Sequence, residues 1–333
     1  MPAAELEREQ AATDEMTPRM ARVAQVRKET YDTFTLALEP SEGEPFPGFA
    51  PGQFSMLYVF GNGELPISIS GDPEDRARQL YTVRSVGKTT QALVSSRTGD
   101  AVGIRGPYGS PWPLRAARGK DVLIVAGGIG LAPLRPAIHY ILRHRADYNR
   151  LIVLYGARSP RDLIFRKQLE DWARLPDTQV LSTVDYGGLS WRGHVGVVTG
   201  LFRYVRLQPF HTVALICGPE IMMRFTARVL IDQGVDPGRG PGADHRQFTL
   251  AVESTDHVEV DHHHGRSQGI ERVLDIILRP EQPPFLAREG HEDDPSGQRI
   301  AARGQAAGYL HDHRGSGGIV VSAVVDVAGE EGQ

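Results

Sequence analysis

One cysteine, Cys217, is present in 333 residues. An intrachain disulfide framework is therefore excluded, as is any four-cysteine zinc or iron–sulfur site built by this chain alone. Long apolar runs are missing too. Nothing approaches the roughly 18 uncharged residues of a membrane span, so none is expected. The stretch 1–10 is acidic and has no apolar core, unlike a secretory signal, and a cytoplasmic protein is the expectation. An excess of positive charge is also lacking. The 37 Lys and Arg stand against 41 Asp and Glu, a net of −4, which argues against a general nucleic-acid binder. What is there, 40% hydrophobic and 23% charged residues, is the composition of a globular chain and excludes wholesale disorder. At roughly 150 residues per domain, the length suits about two domains.

Lysine is absent from residues 237–333, which hold 8 of the 12 histidines and 9 arginines against 16 Asp or Glu, a net of −7. Residues 1–236 carry +3. Composition thus changes near Pro237. Residues 1–20 read as an N-terminal extension. From 21 to 115, short β-favouring runs (33–37, 53–60, 67–69, 80–84, 101–105) alternate with Gly, Pro and Asn-Gly breaks, the pattern of an antiparallel barrel or sandwich. From 116 to 236, apolar strands (122–126, 151–155, 179–184, 212–217) alternate with amphipathic segments such as 163–172 and 221–233. That alternation implies a parallel sheet covered on both faces. The fold expected is a β-barrel followed by an α/β domain, with an atypical C-terminal tail.

The run 122–133 (VLIVAGGIGLAP) is a buried strand entering glycines and then a helix. Gly127, Gly128 and Gly130 permit a tight turn and close backbone approach, and the amides of the helix start suit a pyrophosphate. The spacing, with Pro133 closing it, departs from the usual dinucleotide fingerprint, and a strand–turn–helix without ligand remains the alternative. After the second strand, Ser159, Pro160 and Asp162 fit N-cap, N1 and N3 of the next helix. Arg158 and Arg161 flank the edge where a nucleotide ribose would lie, or are solvated surface charges. Cys217, followed by Gly218 and Pro219, ends a strand at the sheet edge where α/β folds bind ligands. A contact role is favoured there over nucleophilic chemistry. Met222 and Met223 read as core packing.

In this order the pieces resemble the ferredoxin–NADP reductase superfamily over about residues 21–236. Within it the chain looks most like the gamma, electron-transfer subunits of hydrogenases and sulfur reductases, then like the electron-transfer subunit of dihydroorotate dehydrogenase. Besides 127–133 and 217–219, four stretches carry the likeness: 51–54 (PGQF), 66–70 (PISIS), 86–93 (VGKTTQAL) and 105–112 (RGPYGSPW). The resemblance implies FAD, the commoner choice over FMN, in the barrel, NAD(P)H on the α/β domain, and a partner redox protein or hydrogenase-type subunits. It implies that Pro66, Ile67 and Ser68 line the flavin ring, with Ser68 near its N5. Gly87, Lys88 and Thr90 would bind the diphosphate, Cys217 would sit beside the nicotinamide, and Gly127, Gly128, Gly130 and Pro133 would lie beneath its pyrophosphate. Three features depart from the pattern. Leu65 and Ile67 stand where relatives often have an arginine and, two residues on, the tyrosine of the flavin strand. The four-cysteine [2Fe–2S] segment has no counterpart, and the tail in its place is acidic and His-rich. A flavin-free structural subunit is the rival reading.

Three readings of the tail remain. Residues 261–264 (DHHH) and His311 with His313 suggest metal ligands, but no closed four-ligand site can be built from their spacing, and none is expected. The tail is otherwise a poorly ordered extension, or the product of an altered reading frame near Pro237, which the abrupt composition change favours. The alternation in 247–252 also permits a closing strand of the sheet.

Overall fold

A computed structural model describes residues 17–41, 44–235 and 250–254, all within one compact unit. Both expected layers are present. The first is an antiparallel sheet of β1 (Arg19–Lys28), β2 (Thr33–Pro40), β3 (Phe54–Val59), β4 (Gly63–Ser68), β5 (Gln79–Arg84) and β6 (Ala101–Tyr108), in the order β4-β3-β6-β1-β2-β5. A bridge between Ile69, just past β4, and Tyr81 of β5 closes it into a barrel. Leu36, Leu38, Leu57, Ile69, Tyr81 and Val83 fill the interior. β1 escapes a reading of the sequence because its fully buried residues, Ala21 and Val23, are small and set among Arg, Met and Gln. Helix α1 (Lys88–Val94) packs against β3, β4 and β5.

The second layer is built from β7 (Asp121–Gly127), α2 (Leu131–Arg143), β8 (Leu151–Ala157), α3 (Arg166–Trp172), β9 (Thr178–Val184), the short β10 (His194–Val195), β11 (Thr212–Gly218), α4 (Glu220–Asp232) and β12 (Leu250–Ser254). Its order is β10-β9-β8-β7-β11-β12, with every pairing parallel. All residues of β7 and β11 are buried, as a sheet covered on both faces requires. The chain steps outward from β7 through β8 and β9, then returns to place β11 on the other side of β7. The crevice between the ends of β7 and β11 is thus the switch point where open α/β sheets bind ligands.

Two local expectations change. The sheet does not end at 236: Leu250–Ser254 pairs with Ala214–Gly218, close to the stretch whose alternation permits a strand. Ser159 caps only a single 3-10 turn, Pro160–Asp162, accepting from the Arg161 amide at 3.3 Å. α3 starts later, after Phe165 adopts a left-handed φ of 52°. The rest of 237–333, including 261–264, His311 and His313, lies outside the described residues. Among the described residues no helix is long and apolar enough to cross a membrane, and no cluster of three His, Cys, Asp or Glu is placed to hold a metal.

Candidate functional site

At the switch point lies a cavity of about 650 Å³. Gly127 and Gly128 contribute from the turn after β7, and Pro219 and Met222 from the start of α4. The barrel supplies Thr30, Asp32 and Arg84. Of the residues expected to hold cofactor, Gly127, Gly128, Arg158 and Pro219 line this space. Gly128 has φ +56° and nothing within 4 Å of where a Cβ would stand, so the turn needs glycine for its backbone and leaves that backbone bare toward a ligand. Gly127 and Gly218 serve a different end. A Cβ on Gly127 would meet Met222 Sδ at 2.5 Å, and one on Gly218 would meet the Gly127 amide at 3.0 Å. Gly127 lets the start of α4 lie against the end of β7, and Gly218 lets the ends of β7 and β11 close up on each other.

Gly130 and Pro133 are not among the lining residues. A Cβ on Gly130 would stand 2.4 Å from the Cys217 carbonyl oxygen, so this glycine packs the start of α2 onto β11. Pro133 is buried, and its carbonyl accepts from Trp112 Nε1 at 2.9 Å. It ties α2 to the segment that leaves the barrel. A residue the sequence did not single out supports the turn instead. Tyr155, buried at the end of β8, donates to the Gly128 carbonyl at 3.1 Å and accepts from the Ile164 amide at 3.2 Å. Burial pushes its phenol further up, so the hydroxyl keeps its proton.

Charges on the cavity wall are pre-paired. Arg158 donates to Asp162 at 3.2 Å and to the Tyr31 hydroxyl of the barrel at 3.1 Å. Asp162 in turn accepts from Ser159 Oγ at 2.6 Å. Arg161 is exposed and is not among the lining residues. On the barrel side Arg84 and Asp32 pair at 2.8 Å. Burial works to raise the Asp32 carboxyl, but hydrogen bonds from Arg84, Thr30 and Thr33 outweigh it and hold the group below its ordinary value.

On the barrel, Pro66 and Ile67 are half-buried and Ser68 is buried at the end of β4. Leu65 belongs to the barrel core, so no guanidinium stands at that point. Gly87 is the N-cap of α1. Thr90 Oγ1 accepts from the Val86 amide at 3.0 Å and the Gly87 amide at 2.9 Å, and donates to the Gly87 carbonyl at 2.9 Å. Its hydroxyl thus shapes the loop, which is a different task from the diphosphate contact the resemblance implies. Thr89 Oγ1 donates to the Asn62 carbonyl at 2.9 Å. The first-turn amides of Lys88 and Thr89, which have no acceptor within the helix, remain as donors together with the exposed Lys88 ammonium. That donor set fits a diphosphate. Cys217 is 0% exposed and packs in the core of the parallel sheet. Neither Cys217 nor Ser68 lines the cavity.

The chain is similar to known proteins in sequence and fold. A family model described as an oxidoreductase NAD-binding domain matches residues 124–228. The gamma subunit of sulfhydrogenase 2 from Pyrococcus furiosus is 34% identical over 233 residues, covering 66% of this chain and 80% of that protein. The gamma subunit of sulfhydrogenase 1 from the same organism is 32% identical over 212 residues, 63% of this chain and 72% of that one. Among solved structures, the flavohem-like FAD/NAD binding domain of nitric oxide dioxygenase from Vibrio cholerae superposes with a TM-score of 0.60 at 16% identity, covering 71% of this chain and 99% of the domain. It shares the fold. With barrel, switch-point cavity and relatives in agreement, the chain belongs to the ferredoxin–NADP reductase superfamily, alongside the sulfhydrogenase gamma subunits.

Proposed function

We propose that this chain carries electrons from NAD(P)H to a partner redox protein or hydrogenase-type subunit, with FAD as the group held on the barrel. The observation that carries the reading is the cavity itself, which the glycine turn of one layer and Thr30, Asp32 and Arg84 of the other enclose together. A dinucleotide there would lie against both layers. When bound, a flavin supplies the conversion of a hydride into single electrons. The chain's own residues bind and orient. Gly128 offers bare backbone to the pyrophosphate, Tyr155 holds that backbone in place, and Asp162 keeps Arg158 engaged. The Lys88 and Thr89 amides and the Lys88 ammonium take the flavin diphosphate, and Pro66 and Ile67 offer an apolar flank to its ring. Hydride transfer needs no side-chain acid or base, so positioning is the protein's contribution.

Because Arg158 is already paired and Asp162 and Asp185 also line the cavity, NADH serves at least as well as NADPH. The flavin-free reading draws on Leu65 and Ile67. Denaturing the purified protein and identifying the released chromophore, with dye reduction measured on each nucleotide, tests the proposal. FAD with NADH-driven turnover is expected. A colourless protein that FAD and FMN cannot reconstitute would sink it in favour of a structural subunit, and a strong NADPH preference would overturn the nucleotide assignment.

A further inference from the structure

Arg135 lies on α2, one turn beyond the glycine-rich entry, and is only 5% exposed. Its Nη1 donates to the carbonyl of Ser70 in the barrel, two residues beyond Ser68. Its Nε donates to Gln168 Oε1 at 2.8 Å, and its guanidinium carbon lies 4.6 Å from the centre of the Phe165 ring. Among the described residues no carboxylate pairs with it. Burial draws its pKa down to about 10, so it remains charged at neutral pH. Glu29 and Asp72 favour its charge only from a distance; a buried cation with no carboxylate in direct contact is costly, and an apolar side chain of similar size would avoid the cost. Its bonds therefore have to do something packing cannot.

Both ends of the link are firm. Ser70 is wholly buried, its amide donates to the Leu80 carbonyl at 2.8 Å, and its hydroxyl bonds to Thr82 Oγ1 at 2.8 Å. Phe165 is pinned to the barrel as well, its amide donating to Glu29 Oε2 at 3.3 Å. The neighbouring contacts of α2 are of another kind. Arg143 pairs with Asp72 and, at 3.6 Å, with Glu74, but its side chain is half exposed, and such pairs are weak and screened by salt. We infer that Arg135 is a positioning residue, a buried bolt that fixes the glycine turn of the α/β layer against the β4 end of the barrel and so sets the approach of nicotinamide to flavin. This rests on the proposed function for its catalytic consequence, whereas the coupling of the two layers stands apart from it.

The test uses the full chain with Arg135→Lys, which keeps the charge but loses the planar fork, and Gln168→Leu, which removes one acceptor. In Arg135→Lys, nucleotide-driven flavin reduction should slow by roughly ten- to a hundredfold. The nucleotide KM, flavin content and dye reduction by chemically pre-reduced flavin should stay near wild type. Hydrogen–deuterium exchange over residues 68–74 should rise, and Gln168→Leu should shift in the same direction by less. Wild-type reduction rates and exchange in folded Arg135→Lys overturn the proposal, as does loss of flavin in step with rate, which would mark a merely structural residue. Should the wild type hold no flavin, the functional reading falls. Exchange then decides the coupling alone: a rise over 68–74 supports it and no change overturns it.

Discussion

Gly128 and Gly130 stand two residues apart and are glycine for different reasons. Gly130 has no room, since a Cβ would press on the backbone carbonyl of Cys217 at 2.4 Å. Gly130→Ala should therefore lower stability by about 1–3 kcal/mol in chemical denaturation, with little change in nucleotide KM. Gly128 has room but a φ of +56°. Gly128→Ala should cost about 1 kcal/mol and raise the nucleotide KM, because the new methyl would project into the space proposed for the nucleotide. Matching KM changes in both variants would refute this division. The sequence motif announces a ligand-binding turn, but the division depends on which strand lies behind each glycine, and β11 is some ninety residues away. His139 gives a second residue-scale expectation. Its ring meets Trp172 edge-on at 6.0 Å, and its Nε2 is buried without a partner. Burial first, then the charge of Arg135, pull its pKa down to about 4 from the ordinary 6.5. Between those values the unfolded chain binds the proton and the folded chain does not, so stability falls as pH drops through that window, by about 3 kcal/mol in all. Denaturation from pH 7 to pH 4 checks it: His139→Gln should show a flatter acid slope, and an unchanged slope would contradict the assignment.

At the scale of elements, strands with large apolar residues were legible and those without were not. β7, β8 and β11 stand out as Val/Ile/Leu runs, whereas β1 buries only small side chains and reads as surface. Capping chemistry serves local turns: it delays the helix after Ser159, and at Thr90 it holds the loop before the helix. Ser159 and Asp162 bond each other and hold a 3-10 turn, and Thr90 bonds its own N-cap loop. β12 makes a testable case. It pairs with β11 from Ala214 to Gly218, so a chain cut after 236 should expose that edge and lose at least about 1 kcal/mol, some 2–4 °C in Tm. A chain ending at 257 should keep that stability. Equal melting of the two truncated chains would show that β12 contributes nothing.

For the whole molecule, the two-layer organisation could be read from the change in hydrophobic period near residue 116, and the site's general place from the glycine turn. The joints between layers could not. Arg135 meets Ser70 across 65 residues and Trp112 meets Pro133 across 21, and no local pattern in the sequence points to such bonds. Composition still rules at this scale: with one cysteine, the chain cannot ligate an all-cysteine or Rieske-type [2Fe–2S] centre. Iron and acid-labile sulfide should be absent from the isolated protein, and stoichiometric amounts of both would require ligands from a second chain. Whether NAD(P)H at the switch point reduces a flavin on the barrel is decided by anaerobic titration of the purified protein with NADH while following the visible flavin band. The band should bleach with about one equivalent of NADH per flavin, since one hydride carries two electrons. A protein that shows the band and keeps it through excess NADH and NADPH would rule out that transfer.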